Sequence, residues 1–543
     1  MISTYTLNHF GILSGLCHEL NIAKIIDELI PADPQQKVST GQAVVSMIIN
    51  GLGFSNRRLY LYPQFFERKP VDLLISRDIS ADELNDDTIG RALDRVFQYG
   101  CTELFCYLSA AACDQEQVKK KFGHLDTTTF SVHGLYRSSA GEASPIHITH
   151  GRSKEKRPDL KQIFLNMLVS FDGGVPLFMQ ALDGNSSDAV TFRNTISDFR
   201  SGVKKHLQEI TYLIADSKFY AKETVRLVDD DLFWISRVPE TVGEAKQVIE
   251  KTAASLSELV SLQEDYLYEK HQSFYGDVEQ RWLIIYSKQA LKKAVETVDK
   301  GIKKEYERLK RKVNILRKKD FYCRKDACDA WKGLKITCRY HTVALGEVEV
   351  KTRYKKRGRP SHEKNHENRE VTYIPHYRIA VDEQVKEMEV IKKALFIIAT
   401  NELSERKLSD GELLSHYKDQ QKVEKGFRFL KDPLFFASSL FLKKPERIVA
   451  LTMVMCLSLL VYSIGERKLR GLLKEYGETI KNQVNKPTQK PTLRWIFQLF
   501  EDVHYVKIYK GKKVTSEVHN LRPEGEKALR ILGDNYMKPY LLS

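Results

Sequence analysis

The sequence predicts an α/β protein, in which a core of sheet and helices follows a small helical domain and is interrupted by a basic insertion. Three observations support this prediction. Apolar residues recur every three or four positions up to about residue 118, they alternate with polar residues just after it, and a lysine-rich run separates two groups of candidate strands. At 543 residues, the chain is also too long for one compact core.

Residues 1–118 are expected to form the helical domain. The stretches "GQAVVSMIINGL" and "ADELNDDTIGRALDRVFQYG" have the helical spacing of apolar residues. Between them, "GLGFSNRRLYLYPQFFERKP" mixes Arg and Lys with aromatic residues, a pattern that fits either DNA contact or ordinary packing. DNA binding by this domain is therefore an expectation that needs support from the rest of the chain.

Residues 119–239 are expected to begin the core. "FGHLDTTTFSVHG", "KQIFLNMLVSFDGG" and "VPLFMQALDG" predict three strands in series, and a helix capped by Ser187 or Asp188 follows. A buried strand then ends at Asp216, and "DLFWISRVP" adds a fifth strand after a turn and a helix. Polar chemistry collects at strand ends in such sheets. Asp126, in the first strand, and Asp216 are therefore candidate functional residues.

Residues 240–385 form the expected insertion. The run from Lys288 to Lys319 holds thirteen Lys or Arg against four Asp or Glu and has helical spacing. "QRWLIIYS" and "EVTYIPHYRIAVD" are candidate strands. Arg357 and Arg359, in the short sequence Arg-Gly-Arg-Pro, resemble hooks that lie in the minor groove of AT-rich DNA, although a solvated loop is equally compatible.

Residues 386–470 are expected to complete the core, and 471–543 form a C-terminal region. "KALFIIATNE" predicts a strand, and a helix begins near Ser409 or Asp410. The uncharged run 448–464 is short for a membrane span, which needs about 20 residues, and basic residues flank it. We therefore expect this run to form a helix buried against the sheet, and we expect no membrane partner.

The formal net charge of +15 and the pI near 9.1 favour a polyanionic partner such as nucleic acid, with a merely basic enzyme as the alternative. The first residues lack the features of a secretory signal, so a cytoplasmic, nucleoid-associated protein with reduced cysteines is expected. One possible zinc site remains open, because its first ligand gap only just fits a zinc knuckle. Its candidate ligands are Cys323, Cys328, Cys338 and His341.

A polar stripe is expected on the helix after residue 410. Tyr417, Gln420, Glu424 and Lys431 are spaced so that they lie along one side of an α-helix, as they would also on an ordinary solvated face. Two aspartates and a glutamate are the oxygen ligands that hard divalent cations prefer. With two Mg²⁺ ions, such carboxylates activate a water or a 3′-hydroxyl and stabilise the leaving oxygen of a phosphodiester.

Several motifs together resemble one known family. "HLDTTTFSVHG", "THGRSKEKRPDLKQ", "LDGNSSD", "LIADSKFY", "WISRVP" and the helix with Tyr417 and Glu424 are similar, in this order, to the DDE transposases of bacterial insertion sequences that carry a Tyr-Arg-Glu-Lys signature. The likeness spans about residues 120–465, and the N-terminal domain also resembles a helical module that precedes the core in one branch of these enzymes.

The resemblance implies an RNase H-like core, with a mixed five-stranded sheet and flanking helices, split by an insertion between the second aspartate and the glutamate. It also implies that Asp126, Asp216 and Glu424 bind two Mg²⁺ or Mn²⁺ ions and catalyse strand cleavage. Tyr417 and Lys431 match the signature positions that contact DNA phosphates. Gln420 departs from the signature, because an amide replaces the arginine; the amide can still donate a hydrogen bond to a phosphate but carries no charge. An alternative alignment, in which a neighbouring basic residue such as Lys418 or Lys422 compensates, stays open.

Phe396 stands where some relatives have a tryptophan that stacks on a flipped base, although a core position in its strand is an alternative role. The family implies an enzyme that binds the terminal inverted repeats of its element and transfers the cut strand into target DNA, acting as a homodimer on paired ends. Two other hypotheses stay open at this point: a catalytically silent DNA-binding descendant and a structure-selective nuclease on the same fold.

Overall fold

The structure is a computed structural model. It describes the chain except for residues 32, 34, 55–60, 135, 137–144, 202–208, 229–231, 355–368, 433–441, 512 and 543, and except for the side chains of 189 and 198–201. Arg357 and Arg359 thus lie outside the described residues. The chain divides into two compact units, which are Met1–Arg237 with Phe274–Gln280 and Thr400–Ser543, and Val238–Ser273 with Arg281–Ala399. The finer division into five segments stays a prediction.

Strands and helices are numbered along the chain. The described strands are β1 Ile2–Thr6, β2 Phe122–Val132, β3 Lys161–Ser170, β4 Pro176–Leu182, β5 Tyr212–Ala215, β6 Phe233–Arg237, β7 Val260–Gln263, β8 Tyr266–Tyr275, β9 Val278–Ser287, β10 His341–Tyr354, β11 Arg369–Val381, β12 Leu395–Thr400, β13 Ile480–Lys481, β14 Pro487–Thr488, β15 His504–Lys510 and β16 Lys513–His519. The described helices are α1 Phe10–Glu19, α2 Ile22–Leu29, α3 Thr40–Gly51, α4 Tyr62–Phe66, α5 Val71–Leu74, α6 Asp86–Tyr99, α7 Cys101–Gln115, α8 Asp188–Ser201, α9 Lys222–Val225, α10 Gly243–Ala254, α11 Lys288–Arg317, α12 Arg324–Lys332, α13 Glu383–Ala394, α14 Asp410–Lys418, α15 Gln421–Leu430, α16 Pro445–Glu475, α17 Leu493–Gln498, α18 Pro523–Leu532 and α19 Asp534–Met537.

A mixed sheet forms the centre of the first unit. Within this unit its strands run in the order β4-β3-β2-β5-β6. The pairs β2 with β3 and β3 with β4 are antiparallel, whereas β2 with β5 and β5 with β6 are parallel. These are the five strands expected from the alternating pattern of residues 119–239, and the mixed arrangement of an RNase H-like core is confirmed.

Helix α16 contains the uncharged run 448–464. It is long and apolar enough to cross a membrane by length and composition, but 89% of its apolar window is buried inside the protein. The helix packs on β4 and on α3, α6 and α7. The expected burial of this run against the sheet is therefore confirmed.

The N-terminal segment contains a strand as well as the expected helices. β1 pairs with β15 in antiparallel register, with Ile2 opposite Ile508. α1 also packs on α19 near the end of the chain. A Cβ atom on Gly11 would lie 2.6 Å from the ring of Tyr540, so glycine permits this close packing. The expectation that residues 1–118 are only helical was wrong for Ile2–Thr6.

The second unit contains strands in the order β12-β9-β8-β7 and the antiparallel hairpin β10-β11. α11 spans 30 residues, as the basic run predicted, and packs along α13. Ala294 and Val298 of α11 form a small buried cluster with Tyr340 and Val390. Most of the Lys and Arg side chains of α11 lie on its exposed side, as expected for an amphipathic helix.

Candidate active site

Asp126 and Asp216 lie at matching positions on two neighbouring strands. β2 and β5 run parallel, and Leu125 pairs in register with Ala215, so each aspartate follows directly on a paired residue. Neighbouring strands lie about 4.8 Å apart, and residues in register point to the same side of a sheet. The backbone therefore brings these two carboxylates together at the carboxyl end of β5, where the sequence placed them.

The electrostatics of this pair agree with close approach. Burial raises the pKa of Asp126 to about 6 against the lowering effect of Lys154, and Asp216 and Asp188 raise it further. Burial also raises the pKa of Asp216, while the Lys218 backbone N–H donates to its Oδ1 at 2.9 Å. The two carboxylates are thus close together and partly desolvated. A bound cation would stabilise their charged forms.

The helix carrying Glu424 is not continuous with the one carrying Tyr417. α14 ends at Lys418 and α15 begins at Gln421, and the backbone between them closes in tight turns, with Lys422 N–H bonded to Asp419 O at 2.8 Å. The expected single stripe from Tyr417 to Lys431 was therefore wrong. Tyr417 lies in the last turn of α14, whereas exposed Glu424 lies in the first turn of α15.

Apolar and aromatic contacts fix both helices to the sheet. The ring of His416 stacks on Phe122 with centroids 3.6 Å apart, and Tyr212 stacks on the same phenylalanine at 4.7 Å. α15 packs on β2 and β3 and buries one face, which includes Val423 and Phe427. These contacts hold Tyr417 and Glu424 beside the strand that carries Asp126.

Gln420 contacts the sheet rather than solvent. Its side-chain Nε2 donates to the Leu125 carbonyl at 3.2 Å, and its buried amide also interacts with the ring of His124. Gln420 lies between the end of α14 and the start of α15. Its hydrogen bond therefore attaches the turn between these helices to β2, the strand that carries Asp126. A phosphate contact by Gln420, as expected from the signature spacing, has no support from this geometry.

Arg237 is a neighbour of the site that the sequence reading missed. Burial raises the pKa of Tyr417, while Arg237, which hydrogen-bonds the phenol, lowers it. Asp216 and Glu424 both raise the pKa of the same phenol, so Tyr417 lies within electrostatic range of two of the three expected carboxylates. Only the position of Arg237 at the end of β6 could have identified it, since basic residues are common in this chain.

Lys431 directly follows α15, on the other side of the site. Its ammonium group lies 3.3 Å from Glu155 Oε1, and its pKa is lowered by burial although Glu155 raises it. Asp126 also raises the pKa of this ammonium group. The structure therefore brings Lys431 to the neighbourhood of Asp126, with Glu155 as its direct partner.

By donor type, Asp126, Asp216 and Glu424 fit a hard divalent cation, since carboxylate oxygens suit Mg²⁺ and Mn²⁺. Within the described part of the chain, however, no three His, Cys, Asp or Glu side chains stand close enough together to hold a metal ion. The structure thus brings the two aspartates together and does not bring Glu424 into one ligand group with them.

The other candidate residues lie in the second unit. Cys323 Sγ accepts a hydrogen bond from Asp326 N–H at 3.2 Å, and His341 Nδ1 contacts Glu305 Oε2 at 2.9 Å. Because no metal-holding group occurs among the described residues, the cysteines and His341 do not form the zinc site left open above. Phe396 is a partly buried residue of β12, and its stacking role stays untested.

Comparison with known proteins gives two family matches. A family model described as "Transposase DDE domain" matches residues 119–461, and one described as "Domain of unknown function (DUF4277)" matches 2–110. No curated protein matches the chain. A cryo-EM structure of a piggyBac transposase synaptic complex with hairpin DNA is similar at 9% identity and a TM-score of 0.36, covering 92% of this chain and 82% of that chain.

The mixed sheet and the matched family model therefore define a transposase with an RNase H-like core. Because the DDE domain matches more than half of the sequence, the chain belongs to the DDE transposase family.

Proposed function

We propose that this protein cuts DNA at the terminal inverted repeats of an insertion sequence and joins the freed strand to target DNA. Asp126, Asp216 and Glu424 are the proposed catalytic, metal-binding carboxylates. The observation that carries the proposal is the register of β2 and β5, which places two aspartates side by side within the matched DDE domain. Family membership supports the reaction class.

Asp126 and Asp216 would hold the divalent ions, and Glu424, in the first turn of α15, would supply the third carboxylate. Two bound Mg²⁺ or Mn²⁺ ions would activate the attacking oxygen and stabilise the leaving oxygen of the phosphodiester. The chain itself positions the DNA. Tyr417 and Arg237 present a phenol and a guanidinium beside Asp216, and Lys431 presents an ammonium group on the Asp126 side.

α11 is the proposed surface for the DNA backbone. A helix of this length extends about 45 Å, comparable to more than one turn of duplex DNA. Exposed cations recur along it with no ion-pair partner among the described residues. They include Lys292, Lys293, Lys300, Lys303, Lys304 and Arg311. Neutralising phosphates with such residues gives sequence-independent binding. Recognition of the ends is proposed for the N-terminal segment, whose mixture of basic and aromatic residues fits DNA contact.

The protein is proposed to act as a homodimer on paired element ends, on chromosomal DNA in the cytoplasm. The test uses the full chain, Mg²⁺ and labelled DNA carrying the repeats that flank its coding gene, with Asp126→Asn as the comparison. End-specific nicking and strand joining that are lost in the variant support the proposal. Binding without cleavage would favour a catalytically silent DNA-binding protein, and cleavage that ignores the end sequence would favour a structure-selective nuclease.

A further inference from the structure

Lys154 occupies a fixed position beside the two aspartates. Its ammonium group donates to the Thr127 carbonyl and to Thr127 Oγ1, both at 2.6 Å, and lies 3.0 Å from Asp188 Oδ1. Lys154 also lowers the pKa of the carboxyl groups of both Asp126 and Asp216. A flexible lysine held by three oxygens loses its usual rotamer freedom, so its position beside the aspartates is specific.

Asp188 is the centre of this arrangement. It begins α8, its carboxylate accepts from Thr127 Oγ1, and its other oxygen pairs with the ammonium group of Lys218. Although burial raises it, the pKa of Asp188 is held below its ordinary value by Lys218, Thr127 and Lys154. One carboxylate thus holds two ammonium groups, which leaves a net positive charge at the edge of the aspartate pair.

The loop that carries Lys154 is attached to β2 at alternate residues. Lys154 N–H donates to Thr129 Oγ1 at 3.0 Å, and Ser131 Oγ donates to Glu155 Oε2 at 2.5 Å. Alternate residues of a strand lie on one face, so Thr127, Thr129 and Ser131 form one row of hydroxyl groups. This row fixes Lys154 and Glu155 together, and Glu155 in turn holds Lys431.

We propose that Asp188 is a positioning residue that holds Lys154 and Lys218 beside Asp126 and Asp216, and that these two lysines contact the DNA phosphate at the cleavage site. The inference rests on the proposed function and deepens it, because it names the groups that receive the phosphate. Lysine binds phosphate as a point charge, and a site that must bring a polyanion to several carboxylates needs such charges next to them.

The test measures DNA binding and cleavage separately. Binding of end DNA to the full chain is followed in EDTA over a range of KCl concentrations, and single-turnover cleavage is then started with Mg²⁺. Lys154→Met and Lys218→Met should each reduce the slope of log K against log[KCl] by about 0.9. Lys156→Met is the matched control, since Lys156 is exposed on the same loop.

Asp188→Asn leaves both ammonium groups charged, so the salt slope should stay unchanged while the cleavage rate falls at least about tenfold. Asp188→Glu should restore part of that rate. Thermal unfolding midpoints check folding, and Lys218, whose side chain is 47% exposed, remains informative if the other variants are unstable.

The outcomes separate the inference from the proposed function. If the wild-type chain does not cleave end DNA, both are overturned. If it does cleave, wild-type cleavage by Asp188→Asn, unchanged slopes in both lysine variants, or an equal loss of slope in Lys156→Met would overturn the inference alone.

Discussion

The side-chain amide of Gln420 donates to the carbonyl of Leu125, the residue directly before Asp126. A position that matches a DNA-binding arginine by spacing is thus an internal connection in this chain. This hydrogen bond lies between the end of α14 and the start of α15. It therefore affects how α15, which carries Glu424, packs on β2, which carries Asp126. Replacing the amide should therefore affect the stability of the folded site more than its affinity for DNA.

Gln420→Arg should lower the free energy of unfolding by about 1–3 kcal/mol, because a hydrogen bond is lost and a guanidinium enters a partly buried place. It should not increase the salt dependence of DNA binding. Thermal unfolding and binding of end DNA in KCl measure the two effects. Gln421→Arg, at an exposed neighbour, is the control, and a salt slope steeper by about 0.9 in Gln420→Arg would contradict the internal role.

Asp126→Asn should reduce Mg²⁺-dependent cleavage by more than about 100-fold, because it removes a charged group from the proposed metal site, where a bound ion would contribute several kcal/mol. Stability should not fall, because the amide relieves the repulsion from Asp216 and Asp188. Single-turnover cleavage and a thermal melt provide the measurements. Asp159→Asn, at an exposed residue paired with Arg157, should leave the rate unchanged, and equal losses in both variants would count against the assignment.

Removing charge from α11 should weaken DNA binding without unfolding the protein. Changing Lys300, Lys304 and Arg311 together to Gln should reduce the salt slope by about 2.7, because each lost phosphate contact contributes about 0.9. Fluorescence anisotropy with duplex DNA of any sequence is sufficient. Lys486→Gln with Lys490→Gln, at exposed positions of the first unit, should have no effect, and a triple variant with the wild-type slope would exclude α11 as the binding surface.

The protein should lose stability between pH 6.5 and 4 through His9. Burial lowers the pKa of this ring to about 4, although the hydrogen bond to the Leu52 carbonyl raises it. The neutral ring is favoured in the folded state, so its contribution is complete above pH 6.5 and declines as the pH falls, by up to about 3 kcal/mol.

His9→Gln should flatten this decline, because glutamine can donate to Leu52 and does not titrate. Thermal midpoints at pH 7 and pH 5 measure the difference. The exposed residue His18 supplies the control variant His18→Gln, and an unchanged pH dependence in His9→Gln would show that other groups cause the acid sensitivity.

Local patterns predicted the core well because its elements are defined by neighbours in sequence. The buried strand before Asp216 is wholly apolar, and the start of α14 at Ser409 has a capping box. β1 was missed because its partner strand lies about five hundred residues away and its own five residues carry no clear period. Pairing of that kind is a tertiary effect.

The candidate site shows the same limit. The aspartates were identified by their position at strand ends, but no Gly or Pro marks the break at Asp419 and Gln420, so a continuous helix was the natural expectation. The cluster of Lys154, Asp188 and Lys218 joins three separate segments, and only the folded chain brings them together. Arg237 was missed for the same reason.

The pairing of β1 with β15 also affects how the protein is made. The strand at Ile2–Thr6 is synthesised about five hundred residues before the strand that completes its sheet. N-terminal segments generally fold first during synthesis, so this one must wait with an unpaired edge. Premature termination anywhere before His504 would therefore yield a fragment prone to aggregation or proteolysis.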